Sequence, residues 1–108
     1  MRIGEGTVVF ISGGASGLGK GAARHLHKLG ASIAIADIDV KSMQALHTEL
    51  QERIICISCD VTKEDDVKNA IEKTVKVFGT IHVALACAGV AWIIPNLSVR
   101  GPINTDKV

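Results

Sequence analysis

Apolar residues in this chain fall into short unbroken runs, separated by stretches in which they recur every three or four positions. The runs occupy residues 8–11, 33–36, 54–57 and 83–88. Nearly continuous rather than alternating apolar character is what strands covered on both faces require. The intervening stretches have helical spacing. Leu18, Ala22, Leu26 and Leu29 form the first, with Gly30 as its stop. Val40, Met43, Leu46 and Leu50 form the second, behind Asp39 as a cap. Val67, Ala70, Ile71, Thr74, Val75 and Phe78 form the third, opened by Thr62-Lys63-Glu64-Asp65 and ended by Gly79.

Strands alternating with helices imply right-handed crossovers and a parallel sheet. The expected fold is α/β, a Rossmann-like three-layer αβα arrangement with strand order 3-2-1-4. The regular units span 7–89 of a single domain, 1–108. Beyond Gly89 the residues Pro95, Asn96, Ser98, Gly101, Pro102 and Asn104 predict loop or tail, with Trp92 inside it. The fourth run then lies at the sheet edge without a charge to protect it. That predicts either a larger domain or pairing with a second copy, hence a homo-oligomer.

With 108 residues and 47% hydrophobic content, the chain can bury one modest core. A net charge of +1 and 3% aromatic residues give no nucleic-acid signal. The longest apolar run, 83–94, is shorter than the roughly 20 residues that cross a bilayer. Residues 1–6 are too few for a targeting segment, so a cytoplasmic location is expected, or the mitochondrial matrix if a leader has been removed. Three cysteines, an odd number, argue for a reducing compartment. Cys56 and Cys59 form a C-x-x-C, but residues three apart on a strand point to opposite faces and no further ligands accompany them. No metal is expected.

The segment from Ser12 to Gly21 reads Ser-Gly-Gly-Ala-Ser-Gly-Leu-Gly-Lys-Gly, between the first strand and the first helix. Strand, glycine loop and helix in that order build a site for a dinucleotide diphosphate. Gly13 permits the tight turn, Gly17 lets the diphosphate approach, and Gly19 lets the helix pack on the strand. The helix N-terminus attracts the negative charge. Asp37 ends the second run, 20 residues after Gly17, where a carboxylate can accept from ribose hydroxyls and repel a 2′-phosphate. The cofactor expected is therefore NAD. Asp60 and Val61 follow the third run, where they can meet an adenine amino group and flank its ring. Ala88 and Gly89 end the fourth, where small residues let a cofactor lie against the backbone.

Gly14 to Lys20 also fits most of a nucleoside-triphosphate loop, but Gly21 stands where a Ser or Thr must bind magnesium, and Lys20 is expected on the exposed face of the first helix. His25 and His27 fall on different faces of one helix, and His47 and His82 are isolated. They read as surface or local structure.

On these motifs the chain resembles the short-chain dehydrogenase/reductase family from about Thr7 to Gly89. Ser12 to Gly19 stands for the family's glycine loop, Asp60-Val61 for its adenine contact, and Ala86-Cys87-Ala88-Gly89 for its Asn-Asn-Ala-Gly strand. The motifs are most similar to the 3-hydroxyacyl-CoA dehydrogenase type 2 and hydroxysteroid dehydrogenase branch. The resemblance implies hydride transfer between NAD(P)H and an alcohol/ketone pair, with cofactor contacts at Ser16, Leu18, Asp37, Asp60, Val61 and Cys87. Ser12 stands for a usual Thr, Ala86 for an Asn, and His82 for a commonly acidic residue. The family's Ser, its Tyr-x-x-x-Lys pair and its helix Asn are expected beyond position 108. The chain contains no tyrosine, so no catalytic residue is assigned, and the chain alone is expected to be inactive. The alternative is a non-catalytic dinucleotide-binding or oligomeric interaction module, motivated by the uncovered fourth strand.

Overall fold

The computed structural model describes residues 3–13 and 17–86, and the backbone of 90–93. Its elements are β1 (Val8–Ser12), α1 (Gly17–Lys28), β2 (Ser32–Asp37), α2 (Val40–Leu50), β3 (Ile54–Ser58), α3 (Glu64–Phe78), β4 (Val83–Ala86) and β5 (Val90–Ile93). The sheet order is β3-β2-β1-β4-β5, with the first four strands parallel. Order and direction of those four match the sequence expectation.

Side chains alternate across each strand and divide the core in two. Val9, Ile11, Ile33, Ile35 and Ile54 pack with Ala23 of α1 and with Met43 and Leu46 of α2. Val8, Phe10, Ala34, Ala36 and Ile57 face the other way, onto Ala70 of α3 and Ile81. Helices cover both faces, which explains why the runs 8–11, 33–36 and 54–57 within the strands are apolar at every position. Cys56 joins the first cluster and Cys59 the second, so the C-x-x-C thiols lie on opposite faces of the sheet.

Four sequence expectations change. Val90–Ile93, expected as loop, forms β5 and pairs antiparallel with β4, placing Trp92 in a strand opposite Ala84. The fourth strand is therefore interior, and the bare edge that motivated an oligomeric interaction module is gone. The loop reading failed because a four-residue edge strand needs only one partner, and its periodicity is too short to register.

The packing face of α1 also differs. Gly19 and Ala23 are buried, with Ala22 and Leu26 half-buried, while Leu18 and Leu29 are 67% and 48% exposed. Small residues let the helix approach the sheet, and the leucines at either end overhang it. The start of α3 is capped differently as well. Lys63 is the capping residue and gives no side-chain bond, while the Thr62 hydroxyl donates to Asp60 instead. Lys20, expected on an exposed face, is half-buried.

Elsewhere the expected stops hold. Asp39 caps α2 by accepting from the Ser42 N–H at 3.1 Å. The Gly79 N–H closes α3 on the Val75 carbonyl at 2.7 Å. Gly30 ends α1 with φ +107, and a Cβ there would lie 2.9 Å from the Glu5 nitrogen, so both conformation and space demand glycine. Arg24 of α1 grips Glu49 of α2 through two bonds of 2.6 and 2.9 Å, fixing the two helices side by side.

Candidate cofactor site

Because β1 to β4 are parallel, their carboxyl ends share one edge of the sheet. Gly13 directly follows β1, with φ +70, a left-handed turn that glycine adopts without strain. Its N–H donates to the Ala36 carbonyl at 2.7 Å, joining the turn to the end of β2. Helix α1 begins at Gly17 with no acidic residue in its first turn, so the positive end of its dipole is not offset. A Cβ added to Gly17 would meet nothing within 4 Å, so the backbone there faces open space that any side chain would occupy. Gly19 is buried in the helix face toward the sheet.

Asp37 is the last residue of β2 and half-buried. Its Oδ1 accepts from the Asp39 N–H at 3.0 Å, which orients the carboxylate at the strand end. Asp60 lies two residues beyond β3. Its Oδ1 accepts from both the Thr62 N–H at 3.0 Å and the Thr62 hydroxyl at 2.6 Å. Those bonds hold its carboxyl below the ordinary carboxylate range, as an anion. Among the described residues, Oδ2 of Asp60 takes no hydrogen bond.

The two strand ends are close. The Cys59 N–H donates to the Asp37 carbonyl at 2.9 Å. Burial raises the Cys59 thiol, and Asp66, Asp60 and Asp37 raise it further, so three carboxylates surround it. Cys56 is raised by burial, and its thiol donates to the Met43 carbonyl. Neither cysteine has the depressed value of a reactive thiolate.

Val61 is 50% exposed beside Asp60, and Leu18 stands exposed on the first turn of α1. The sequence expectation omitted a third apolar residue at this edge, Ile38, 71% exposed directly after Asp37. A large aliphatic side chain between two aspartates, outside any helical or strand pattern, was the available signal. Gly13, Gly17, Leu18, Gly19, Asp37, Asp60 and Val61 thus all gather at the carboxyl ends of β1, β2 and β3. Ser16, Cys87, Ala88 and Gly89 lie outside the described residues.

The competing features find structural explanations. Lys20 acts on Asp39 and Glu49, toward α2. His27 Nε2 meets the Glu52 carbonyl at 2.6 Å, and His82 Nδ1 accepts from the Val8 N–H. No group of three metal-ligating side chains occurs among the described residues, and none of the described helices is long and apolar enough to cross a membrane. A groove of about 670 Å³ runs between α2 and the outer edge of β3, lined by Met43, His47, Ile54, Cys56 and Lys73. It contains none of the residues at the strand ends just described.

Residues 7–104 match the family model described as short chain dehydrogenase. Tropinone reductase-like 1 of Erythroxylum coca is 44% identical over 86 residues, covering 80% of this chain and 32% of that protein. The 3-hydroxyacyl-CoA dehydrogenase type-2 of Drosophila melanogaster is 36% identical over 94 residues, covering 87% and 37%. A crystal structure of 3-ketoacyl-(acyl-carrier-protein) reductase from Brucella melitensis complexed with NADH superposes with a TM-score of 0.70 at 33% identity, covering 72% of this chain and 32% of that one. The chain spans about a third of the length of the relatives it matches. With the glycine turn, parallel order and strand-end aspartates in place, this chain belongs to the short-chain dehydrogenase/reductase family of oxidoreductases.

Proposed function

We propose that this chain is the NAD-binding portion of a dehydrogenase acting on an alcohol/ketone pair. The observation that carries this reading is the gathering of Gly13, Gly17, Asp37 and Asp60 at one sheet edge. The diphosphate rests against the backbone between Gly13 and Gly19, at the amino end of α1. Ser16 offers a hydroxyl, and Leu18 its amide. Asp37 accepts from the adenosine ribose hydroxyls and disfavours a 2′-phosphate, which selects NAD over NADP. Asp60 accepts from the adenine amino group, and Val61 with Ile38 flanks the ring. By the family resemblance, Cys87 offers its backbone carbonyl to the ribose, and Ala88 and Gly89 are small enough for the cofactor to lie against the backbone. Bound NAD supplies the hydride acceptor; the residues named here bind and orient it.

The similarity to 3-hydroxyacyl-CoA dehydrogenase type-2 supports a 3-hydroxyacyl-CoA as the substrate class, and the motif resemblance adds a hydroxysteroid as the alternative. With no tyrosine, the chain offers no residue for the family's proton transfer, so it is inactive by itself. Its free thiols fit the reducing cytosol.

Titration of the purified chain with NADH, followed by nicotinamide fluorescence, tests this. Saturable binding, weakened by Gly17→Val, is expected, together with no turnover of ketones or alcohols. A folded sample that ignores millimolar NADH overturns the binding assignment, and turnover by the chain alone overturns the inactivity.

A further inference from the structure

Asp66 is the third residue of α3, where a carboxylate ordinarily reaches back to the capping residue's own N–H. Here that N–H, of Lys63, already donates to the Asp60 carbonyl at 2.9 Å. Asp66 reaches past it. Its Oδ2 accepts from the Asp60 N–H at 3.0 Å, spanning six residues between the end of β3 and the first turn of α3. Asp60 is thereby held at every polar group but one. Its N–H goes to Asp66, its carbonyl to Lys63, and its Oδ1 to Thr62. Among the described residues only Oδ2 is left to accept from a ligand, and its position follows from the other three restraints.

We propose that Asp66 is a positioning residue for the adenine end of the dinucleotide, acting through the Asp60 backbone. The proposal rests on the dinucleotide site argued above and adds a residue which touches no part of the cofactor. Both partners of the tether are half-buried, so water replaces a lost carboxylate poorly, and the Asp60–Lys63 turn gains freedom. A freed turn no longer presents Oδ2 in one place. The consequence is specific to what Oδ2 recognises, an exocyclic amino group.

The experiment compares NADH with reduced nicotinamide hypoxanthine dinucleotide, which carries a carbonyl where adenine has its amino group. Both are titrated into the full chain and into Asp66→Ala, Asp66→Asn and Asp60→Ala, with a thermal melt of each. The unaltered chain is expected to prefer NADH by about tenfold, the value of one good hydrogen bond. Asp66→Ala should cut that preference to about threefold or less, toward the Asp60→Ala value. Asp66→Asn, whose amide oxygen accepts the same N–H, should restore it. Should Asp66→Ala fail to fold, Asp66→Glu displaces the acceptor by one methylene and is expected to lower the preference likewise. A variant whose melting point falls while the preference stays at the unaltered value assigns Asp66 a merely structural role and overturns the proposal. Equal binding of both dinucleotides by the unaltered chain overturns it too, leaving the dinucleotide site standing. Binding of neither removes the site itself.

Discussion

His82 and Val8 are joined twice: the Val8 N–H donates to His82 Nδ1 at 2.9 Å, and the His82 N–H donates to the Val8 carbonyl at the same distance. This pair closes the start of β4 onto the start of β1 before the ladder proper begins at Val9 and Val83. The imidazole serves as an acceptor, so its proton resides on Nε2, an assignment that follows from the bond. It performs the task a carboxylate could perform in the acidic residue commonly found there in the family. Val8 is 4% exposed, so its N–H has little access to water once the ring is removed. His82→Ala should cost about 1–3 kcal/mol in urea unfolding, the cost of an unsatisfied buried donor. His82→Asp, which keeps an acceptor, should lose less than half as much. Equal losses in the two variants would show that the ring acts by packing rather than by accepting.

Cofactor choice should turn on Asp37. Its Oδ1 is oriented by the Asp39 N–H, which fixes a negative charge at the carboxyl end of β2. Replacing that charge by Asp37→Ala with Ile38→Arg substitutes an attractive group for a repulsive one. The ratio of NADPH to NADH affinity should rise at least about tenfold, equivalent to roughly 1.4 kcal/mol. Unchanged relative affinities in parallel titrations would remove Asp37 from the ribose site.

Ile38 separates binding from folding cleanly. At 71% exposure it contributes little to the core, so Ile38→Ser should leave stability within about 0.5 kcal/mol. A dinucleotide that covers it buries an aliphatic side chain worth about 1.5 kcal/mol or more. The Kd for NADH should therefore rise roughly tenfold with the melting point unchanged. A Kd that does not move would place the adenine elsewhere.

The strands were legible because a parallel sheet under helices on both faces writes continuous apolar runs. Val8 to Ile11 alternate between two cores and so carry no polar residue. The stops were legible where one residue decides them, as at Gly30 and Asp39. The places of Asp37 and Asp60 were legible because each lies at or just beyond the end of an apolar run, and the structure puts them at the carboxyl ends of β2 and β3. The hidden features depend on partners distant in sequence. Asp66 looks like any acid that favours a helix start until the Asp60 N–H is seen beside it. β5 follows β4 too closely, and is too short, to announce itself. Leu18 carries the helical pattern yet points away from the core, because periodicity gives a face and cannot say where the helix overhangs its sheet.

Acid sensitivity should be traceable to the cap of α2. Asp39 accepts from the Ser42 N–H at 3.1 Å and from the Ser42 hydroxyl at 2.8 Å, and these bonds hold its carboxyl below the ordinary 3.8. The backbone bond is the larger cause. A carboxyl lowered in the folded state stabilises that state fully above its unfolded value and loses the contribution as pH falls through the lower folded one. The stability gap between the unaltered chain and Asp39→Ala should therefore be constant from neutral pH to about pH 5. It should narrow below about pH 4, as protonation removes the charge that only one of the two carries. Ser42→Ala keeps the backbone donor and loses the hydroxyl, so the Asp39 carboxyl should titrate at a higher pH than in the unaltered chain while staying below 3.8. Carboxyl NMR titration reads the second effect and urea unfolding at a series of pH values the first. A gap that stays unchanged down to about pH 2 would show that the cap acts through shape alone, with the charge contributing nothing.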